Sequence, residues 1–150
     1  MKLIPITQKN RKEAESLRVK PEQIDYIESV VECMQEADEI ADWHPVGLYV
    51  DDMIVGFAMY GNISETKYTR LWFDRLLIDW RYQSKGYGNQ AFELVLKTIL
   101  ENYPGIPIYL SVYDDNVQAI SMYKKHGFDY TGELDTKGEK IMKYQKTGVY

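Results

Sequence analysis

Residues 76–89 read Leu-Leu-Ile-Asp-Trp-Arg-Tyr-Gln-Ser-Lys-Gly-Tyr-Gly-Asn and give the clearest structural pattern in the sequence. Its apolar start continues a run from Leu71 that is typical of a buried strand, and a helical pattern follows from Gly86. The glycines Gly86 and Gly88 stand two positions apart at the start of this helix. There, backbone N–H groups can approach an anion closely, and the helix dipole favours negative charge. The order strand, glycine loop, helix therefore predicts a binding loop for a phosphate group.

Two better-known phosphate motifs do not fit this loop, and a plain tight turn remains an alternative. The dinucleotide fingerprint G-x-G-x-x-G would need glycine where Ala91 stands. The P-loop motif would need Gly-Lys-Ser or Gly-Lys-Thr, which does not follow at the required spacing. The glycine pattern alone is therefore a weak signal.

A second motif lies about thirty residues further on, in a predicted helix from Asn116 to His126. Asn116 is suited to the start of the helix, Ala119 leaves space near it, and Tyr123 lies two turns along. Gly127 then ends the helix before the next strand. This pattern could be only a capped helix, but its pairing with the earlier loop favours a function.

Strand and helix patterns along all 150 residues predict the order β-α-α-β-β-β-α-β-α-β-β. This order is typical of an α/β fold in which helices flank a mixed sheet. Neither a linker nor a repeat divides residues 1–150, so we expect a single domain. The second predicted helix runs from Pro21 to about Ala41.

Together the two motifs resemble those of the GNAT superfamily of N-acetyltransferases. Residues 83–88, Gln-Ser-Lys-Gly-Tyr-Gly, fit the family loop Q/R-x-x-G-x-G/A, and residues 116–128 fit its signature N-x-x-A-x-x-x-Y-x-x-x-G-F. The resemblance covers essentially the whole chain. It implies the GNAT fold with a mixed, mostly antiparallel sheet, acetyl-CoA as cosubstrate and no metal. His44 and His126 lie far apart in sequence and do not predict a metal site.

The resemblance also assigns roles to individual residues. The loop backbone would hold the CoA pyrophosphate, the strand edge would pair with the pantetheine, and Tyr123 would protonate the departing thiolate. The residues implied to bind acetyl-CoA are Leu76, Leu77, Ile78, Gln83, Ser84, Lys85, Gly86, Tyr87, Gly88, Asn89, Asn116, Ala119 and Tyr123. Such a reaction needs fixed N–H donors at the developing oxyanion and an acid for the leaving group.

Asp74 is the candidate base that would take a proton from the attacking amine. It stands in an apolar strand, where aspartate is unfavourable unless it is paired or functional. A structural salt bridge is the alternative. The strand resembles that of polyamine N-acetyltransferases, in which an acidic residue at this place acts as base. A carboxylate is a weak base, so Asp74 would need a raised pKa or would mainly orient the amine.

The net charge of −5 is concentrated in one segment. Eight of the 23 acidic residues lie between Pro21 and Trp43, which contains no Lys or Arg. An acidic chain argues against a nucleic-acid partner, because DNA affinity comes mainly from phosphate neutralisation. Its acidic side chains fall on one face of the predicted helix, which could be only a solvated face. They could also bind a cationic substrate, and the candidates in this segment are Glu28, Glu32 and Glu36. Asp74 of the later strand is a further candidate for substrate binding.

Four further segments resemble the spermine/spermidine acetyltransferases of Gram-positive bacteria, a branch of the same superfamily. They are Tyr-Ile-Glu-Ser at 26–29, Pro-Val-Gly-Leu-Tyr at 45–49, Val-Gly-Phe-Ala-Met-Tyr-Gly at 55–61 and Gly-Glu-Leu-Asp at 132–135. This resemblance implies direct acetyl transfer from acetyl-CoA to a primary amine of spermidine or spermine. The alternatives are another acceptor, such as an amino acid, an aminoglycoside or a protein amino group, or a non-catalytic acyl-CoA sensor.

The surroundings of the enzyme are predicted from weaker signals. Cys33, the single cysteine, cannot form an internal disulfide, which favours a reducing cytoplasm. No apolar run is long enough to cross a membrane. A homodimer is implied only by the family resemblance.

Overall fold

The computed structural model describes residues 1–63 and 70–145. In these residues four α-helices flank one seven-stranded mixed sheet. The strands are β1 Lys2–Pro5, β2 Trp43–Val50, β3 Met53–Asn62, β4 Leu71–Ile78, β5 Ile108–Val112, β6 Phe128–Leu134 and β7 Lys140–Tyr144. The helices are α1 Arg11–Glu15, α2 Val30–Glu39, α3 Tyr87–Asn102 and α4 Val117–Lys125, with 3-10 helices at Pro21–Tyr26 and Trp80–Tyr82. The predicted fold class and element order are confirmed.

The sheet separates in its middle, between β4 and β5. Its strand order is β1-β2-β3-β4-β5-β7-β6, and β4 and β5 are parallel whereas the other neighbours are antiparallel. Only Leu71 and Trp72 of β4 pair with β5. From Phe73 to Ile78, this edge of β4 therefore has no strand partner within residues 1–63 and 70–145.

A β-bulge at Asp74 changes the direction of the side chains along β4. Phe73 and Arg75 pair with neighbouring residues of β3, so Asp74 between them is an extra residue without a partner. A bulge shifts the alternation of side chains by one residue. Accordingly, Phe73 belongs to the core cluster under α3, whereas Leu77 belongs to the cluster under α1 and α2.

Helices cover both faces of the sheet. On one face, α1 and α2 bury Ala14, Val30 and Cys33 completely. On the other face, Phe92 of α3 stacks on Phe73 of β4, with ring centroids 4.9 Å apart. The strand that carries the bulge thus lies between two apolar layers, which hold it in place.

The predicted continuous helix from Pro21 to Ala41 is wrong. The chain forms a 3-10 helix over Pro21–Tyr26, becomes extended at Ile27 and Ser29, and only then begins α2. The break has a local cause, because Ser29 and Glu32 form a capping box. The Glu32 N–H donates to Ser29 Oγ at 3.2 Å, and the Ser29 N–H donates to Glu32 Oε1 at 3.1 Å.

Within the described ranges, no helix combines the length and apolar character needed to span a membrane.

A buried carboxylate, Asp79, fixes the end of β4. It accepts hydrogen bonds from the backbone N–H groups of Arg18 and Arg81, each at 3.0 Å, and from Arg81 Nε at 2.8 Å. Its own N–H donates to the Val55 carbonyl at 2.8 Å. Burial alone would raise the pKa of Asp79, but these hydrogen bonds hold the pKa below its ordinary value. The ionised side chain therefore stabilises the fold.

We expect Asp79→Asn to lower the free energy of unfolding by about 1–3 kcal/mol at neutral pH, because a buried network loses a charged acceptor. Urea denaturation measures this difference. The pKa of Asp79 is lower in the folded than in the unfolded state, so its contribution is complete above the unfolded pKa, which is about 3.9. It is lost as the pH falls through the folded pKa. A difference between wild type and variant that does not shrink in acid would contradict this role.

Candidate functional site

A groove of about 810 Å³ opens where β4 separates from β5, and we call it the β4–α4 groove. The end of β4, the loop before α3 and the start of α4 line it. Ten of the thirteen predicted acetyl-CoA residues lie here: Leu76, Leu77, Ile78, Gln83, Ser84, Tyr87, Gly88, Asn116, Ala119 and Tyr123. The structure thus brings together two motifs that are about thirty residues apart in sequence.

The loop before α3 leaves space above its glycines. Ser84 and Gly86 have φ angles of 64° and 82°, and Gly86 is the residue that precedes α3. A Cβ atom at Gly86 or Gly88 would meet no atom within 4 Å. The left-handed φ explains glycine at position 86. Gly88 has no such φ, so the fold alone does not require glycine there, and the free space at the helix N-terminus suits an anion.

Three predicted cofactor residues are not among the groove-lining residues: Lys85, Gly86 and Asn89. Lys85 is exposed. Asn89 Oδ1 lies 3.2 Å from Nε2 of His126, so its side chain contacts the end of α4. Lys85 and Asn89 still belong to the loop and the first turn of α3. The family motif implies a binding role for the backbone of this segment, not for these two side chains.

Gln83 contacts protein as well as lining the groove. Its Nε2 donates to the Ile78 carbonyl and to Gln23 Oε1, each at 2.9 Å. These bonds join the 3-10 helix before α2 to the end of β4. Gln83 therefore shapes the groove, a contribution that the sequence motif did not indicate.

Tyr123 of α4 lines the groove together with the end of β4. Burial, together with the negative charges of Asp74 and Glu139, raises the pKa of Tyr123 to about 12. The phenol is therefore protonated at neutral pH, as a proton donor must be. Asn116, at the start of the same helix, lines the groove but makes no side-chain capping bond, contrary to the prediction that it caps α4.

A second cavity of about 810 Å³ includes Asp74 and Arg75 in its lining, and we call it the acidic cavity. Seven carboxylates line it: Glu28, Glu36, Glu39, Asp74, Glu133, Asp135 and Glu139. Three cationic side chains also line it: Arg70, Arg75 and Lys137. Its apolar lining comes from Ile40, Trp43, Ile63, Trp72, Leu134 and Ile141. The excess of carboxylates suits a positively charged molecule with apolar segments.

The Arg75 guanidinium pairs with three of the carboxylates that line this cavity. It forms ion pairs with Asp74, with Glu28 at 3.0 Å and with Glu36 at 3.3 Å. The Glu28 contact lacks hydrogen-bond geometry, so the buried Nε–H has no hydrogen-bond acceptor within the described residues. Burial opposes the charge of Arg75, but the surrounding carboxylates raise its pKa above the ordinary value. Arg75 therefore stays charged and connects β4 with α2 and the segment before it.

Asp74 forms an ion pair, and its pKa is raised. Burial raises the pKa of Asp74, and the adjacent Arg75 only partly opposes this effect. The salt bridge considered from the sequence is present, and the raised pKa required of a base is also present. Sequence reasoning missed Arg75, although an arginine beside Asp74 in an apolar strand was a signal for the pair.

The three predicted substrate residues of the acidic segment have different surroundings. Glu28 and Glu36 line the acidic cavity, where both pair with Arg75. Glu32 is not among the lining residues of either cavity, and its carboxylate caps α2. The predicted acidic stripe along one continuous helix is therefore wrong, because Glu28 precedes α2 and turns toward Arg75.

The model of the Acetyltransferase (GNAT) family matches residues 11–128. The chain belongs to this family. A curated relative, the spermine/spermidine N(1)-acetyltransferase of Bacillus subtilis (strain 168), is 42% identical over 141 residues, which cover 91% of this chain and 93% of the relative.

Solved structures share the GNAT fold at lower identity. A spermidine N-acetyltransferase chimera from Vibrio cholerae SpeG and hSSAT is 15% identical, with a TM-score of 0.68 over 95% of this chain and 93% of the other. The PaiA N-acetyltransferase from Thermoplasma acidophilum, solved in complex with coenzyme A, is 17% identical, with a TM-score of 0.65 over 96% and 98% of the chains. GNAT enzymes use acetyl-CoA, and the free space at the glycine loop of this chain fits a phosphate group.

We expect Gly88→Glu to lower CoA affinity without lowering stability. Glutamate is a better helix former than glycine, a negative charge suits the first turn of a helix, and the new Cβ meets no protein atom, so the free energy of unfolding should not fall. The carboxylate would repel a phosphate in this space, so affinity for CoA should fall about tenfold or more, a loss of about 1.4 kcal/mol. Urea denaturation and calorimetric titration measure the two effects. Unchanged CoA affinity would place the pyrophosphate elsewhere.

Proposed function

We propose that this GNAT protein transfers acetyl from acetyl-CoA to a primary amine of spermidine or spermine. The observation that carries the proposal is the acidic cavity, whose lining includes Asp74 and Arg75 of β4, directly before the part of β4, Leu76 to Ile78, that lines the groove. The Bacillus subtilis relative named a spermine/spermidine acetyltransferase supports the acceptor class.

In the proposed complex, acetyl-CoA lies along the β4–α4 groove. Its pyrophosphate would contact the loop of residues 84–89, and its pantetheine would run along Leu76 to Ile78. Strand edges offer N–H and C=O groups that extended ligands can pair with. An N–H of this edge would stabilise the oxyanion that develops on the thioester carbonyl.

The acidic cavity is proposed to hold the polyamine. A polyamine carries several ammonium groups separated by short apolar chains, and the cavity alternates carboxylates with apolar residues such as Trp43 and Trp72. Glu39 and Glu28 lie on the α2 side of this cavity, and Asp74 lies on β4. Ammonium groups away from the reacting one would bind the carboxylates on the α2 side, and Asp74 would face the reacting nitrogen.

Direct attack of the amine fits the groups present. Asp74 would orient the amine and take its proton, since burial raises the pKa of this carboxyl. Tyr123 would protonate the departing sulfur. An acyl-enzyme on Cys33 is disfavoured, because the thiol is buried and burial raises its pKa to about 12. The predicted homodimer and cytoplasmic location belong to this proposal and rest on the family resemblance and the single cysteine.

The acceptor class is tested by an amine panel in a thiol-release assay with the wild-type protein. We expect kcat/KM for spermidine and spermine to exceed that for propylamine by about tenfold or more, since each added ion pair with a carboxylate contributes favourably. Amino acids, an aminoglycoside and a lysine peptide serve as competing acceptors. A higher kcat/KM for one of these would reassign the substrate, and CoA binding without any turnover would indicate a sensor.

We expect Tyr123→Phe to lower kcat by about 10²-fold or more, because general acid catalysis typically contributes 10²–10⁴-fold. Removal of the hydroxyl leaves the ring that packs 5.4 Å from Phe92, so folding and CoA affinity should persist. Steady-state kinetics with spermidine gives kcat, and titration with CoA gives affinity. An unchanged kcat would remove Tyr123 as the acid.

A further inference from the structure

We propose that Glu139 is a substrate-binding residue that holds the reacting ammonium group beside Asp74 and Tyr123. The inference rests on the proposed amine acetylation and names which carboxylate of the acidic cavity contacts the nitrogen that is acetylated. Glu139 is not part of either sequence motif, and it comes from the turn between β6 and β7.

The backbone around Glu139 is fixed by its own hairpin. The N–H of Glu139 donates to Asp135 Oδ1 at 2.8 Å, and the N–H of Asp135 donates to the Glu139 carbonyl at 2.9 Å. Lys140, the next residue, pairs with Val112 of β5 and Leu134 of β6. These contacts hold Glu139 in the lining of the acidic cavity.

Most other carboxylates of the cavity already have cationic partners. Asp74, Glu28 and Glu36 share Arg75, and Glu28 also lies 2.7 Å from Lys137 Nζ. The carboxylate of Glu133 faces Arg70 at 3.2 Å. Within residues 1–63 and 70–145, this leaves three cavity carboxylates without an ion pair: Glu39, Asp135 and Glu139.

Of these three, Glu139 is the one whose charge, in addition to burial, raises the pKa of Tyr123. Besides burial, the charges of Asp135 and Asp74 raise the pKa of Glu139, and the charge of Asp135 also raises that of Asp74. Glu39 is exposed at the end of α2, and Oδ1 of Asp135 accepts hydrogen bonds from the backbone N–H groups of Lys137 and Glu139, at 2.9 and 2.8 Å. Within the described residues, Glu139 is therefore the half-buried cavity carboxylate that neither an ion pair nor a backbone N–H engages.

The electrostatics around Glu139 favour an incoming cation. Burial and the neighbouring charge of Asp135 raise its pKa, while a hydrogen bond with Ser111 opposes this effect. An ammonium group beside the carboxylate would relieve the repulsion among Glu139, Asp135 and Asp74. Binding would then place the nitrogen between these acids and the thioester end of the groove.

The test is steady-state kinetics of Glu139→Gln, with Glu101→Gln as a matched control on an exposed position of α3 outside both cavities. We expect kcat/KM for spermidine to fall at least about tenfold, mainly through KM, since a charge-assisted contact is lost. The KM for acetyl-CoA should stay unchanged, and Glu139→Asp should recover part of the loss. The kcat/KM for propylamine should fall by a similar factor, because both amines present the same kind of reacting nitrogen.

The outcomes separate this inference from the proposed function. If the wild type acetylates spermidine and Glu139→Gln has the same KM and kcat, the inference is wrong while the function stands. A loss for spermidine with propylamine unaffected would assign Glu139 to a distal ammonium and overturn the inference as well. If the wild type acetylates no amine, the proposed function fails. A parallel rise in the KM for acetyl-CoA would indicate a general structural effect and contradict the binding role.

Discussion

The separation of β4 from β5 after Trp72 is the constraint on which both cavities depend. Parallel pairing ends after two residues, and the bulge at Asp74 bends β4 by adding a residue that has no partner on β3. Within residues 1–63 and 70–145, the edge from Phe73 to Ile78 then has no strand partner, and the chain continues from it to the N-terminus of α3. One strand thus carries the edge along which we propose that pantetheine lies, and a short 3-10 helix connects it to the proposed phosphate loop. The same bulge presents Asp74 to the acidic cavity.

Arg75 determines how charge is distributed in that cavity. A buried guanidinium costs several kcal/mol in lost hydration unless carboxylates surround it. Asp74, Glu28 and Glu36 supply this compensation and connect β4 with the α2 segment. Their negative charge is consequently only partly available to a substrate. An acidic segment that looked like a substrate-attracting surface therefore has a structural function as well. Within the described residues, two of the three cavity carboxylates without an ion pair, Asp135 and Glu139, lie in the turn between β6 and β7.

Local patterns predicted the elements well. The strand predicted to run from Leu71 to the glycine loop is confirmed as β4, because the polar residues Arg70 and Asp79 delimit its apolar run. The sequence also predicted that the glycine loop and Tyr123 belong to one site, since their motifs are typical of the family, and the structure places both in the lining of the β4–α4 groove. Their roles in binding and catalysis stay predictions. The break at Ser29 was missed because its Ser-x-x-Glu capping box stands inside a run with helical periodicity. Arg75 and Glu139 were missed because their importance depends on contacts between segments far apart in sequence.

The acidic cavity and the β4–α4 groove are lined by adjacent parts of β4, and we propose that they hold the two substrates of one reaction. A crystal structure of the protein with CoA and spermidine would show where each substrate binds. We expect the pyrophosphate at residues 84–89, the CoA sulfur near Asp74 and Tyr123, and one spermidine nitrogen beside Glu139 in the acidic cavity. CoA bound away from the β4–α4 groove, or spermidine bound outside the acidic cavity, would contradict the account.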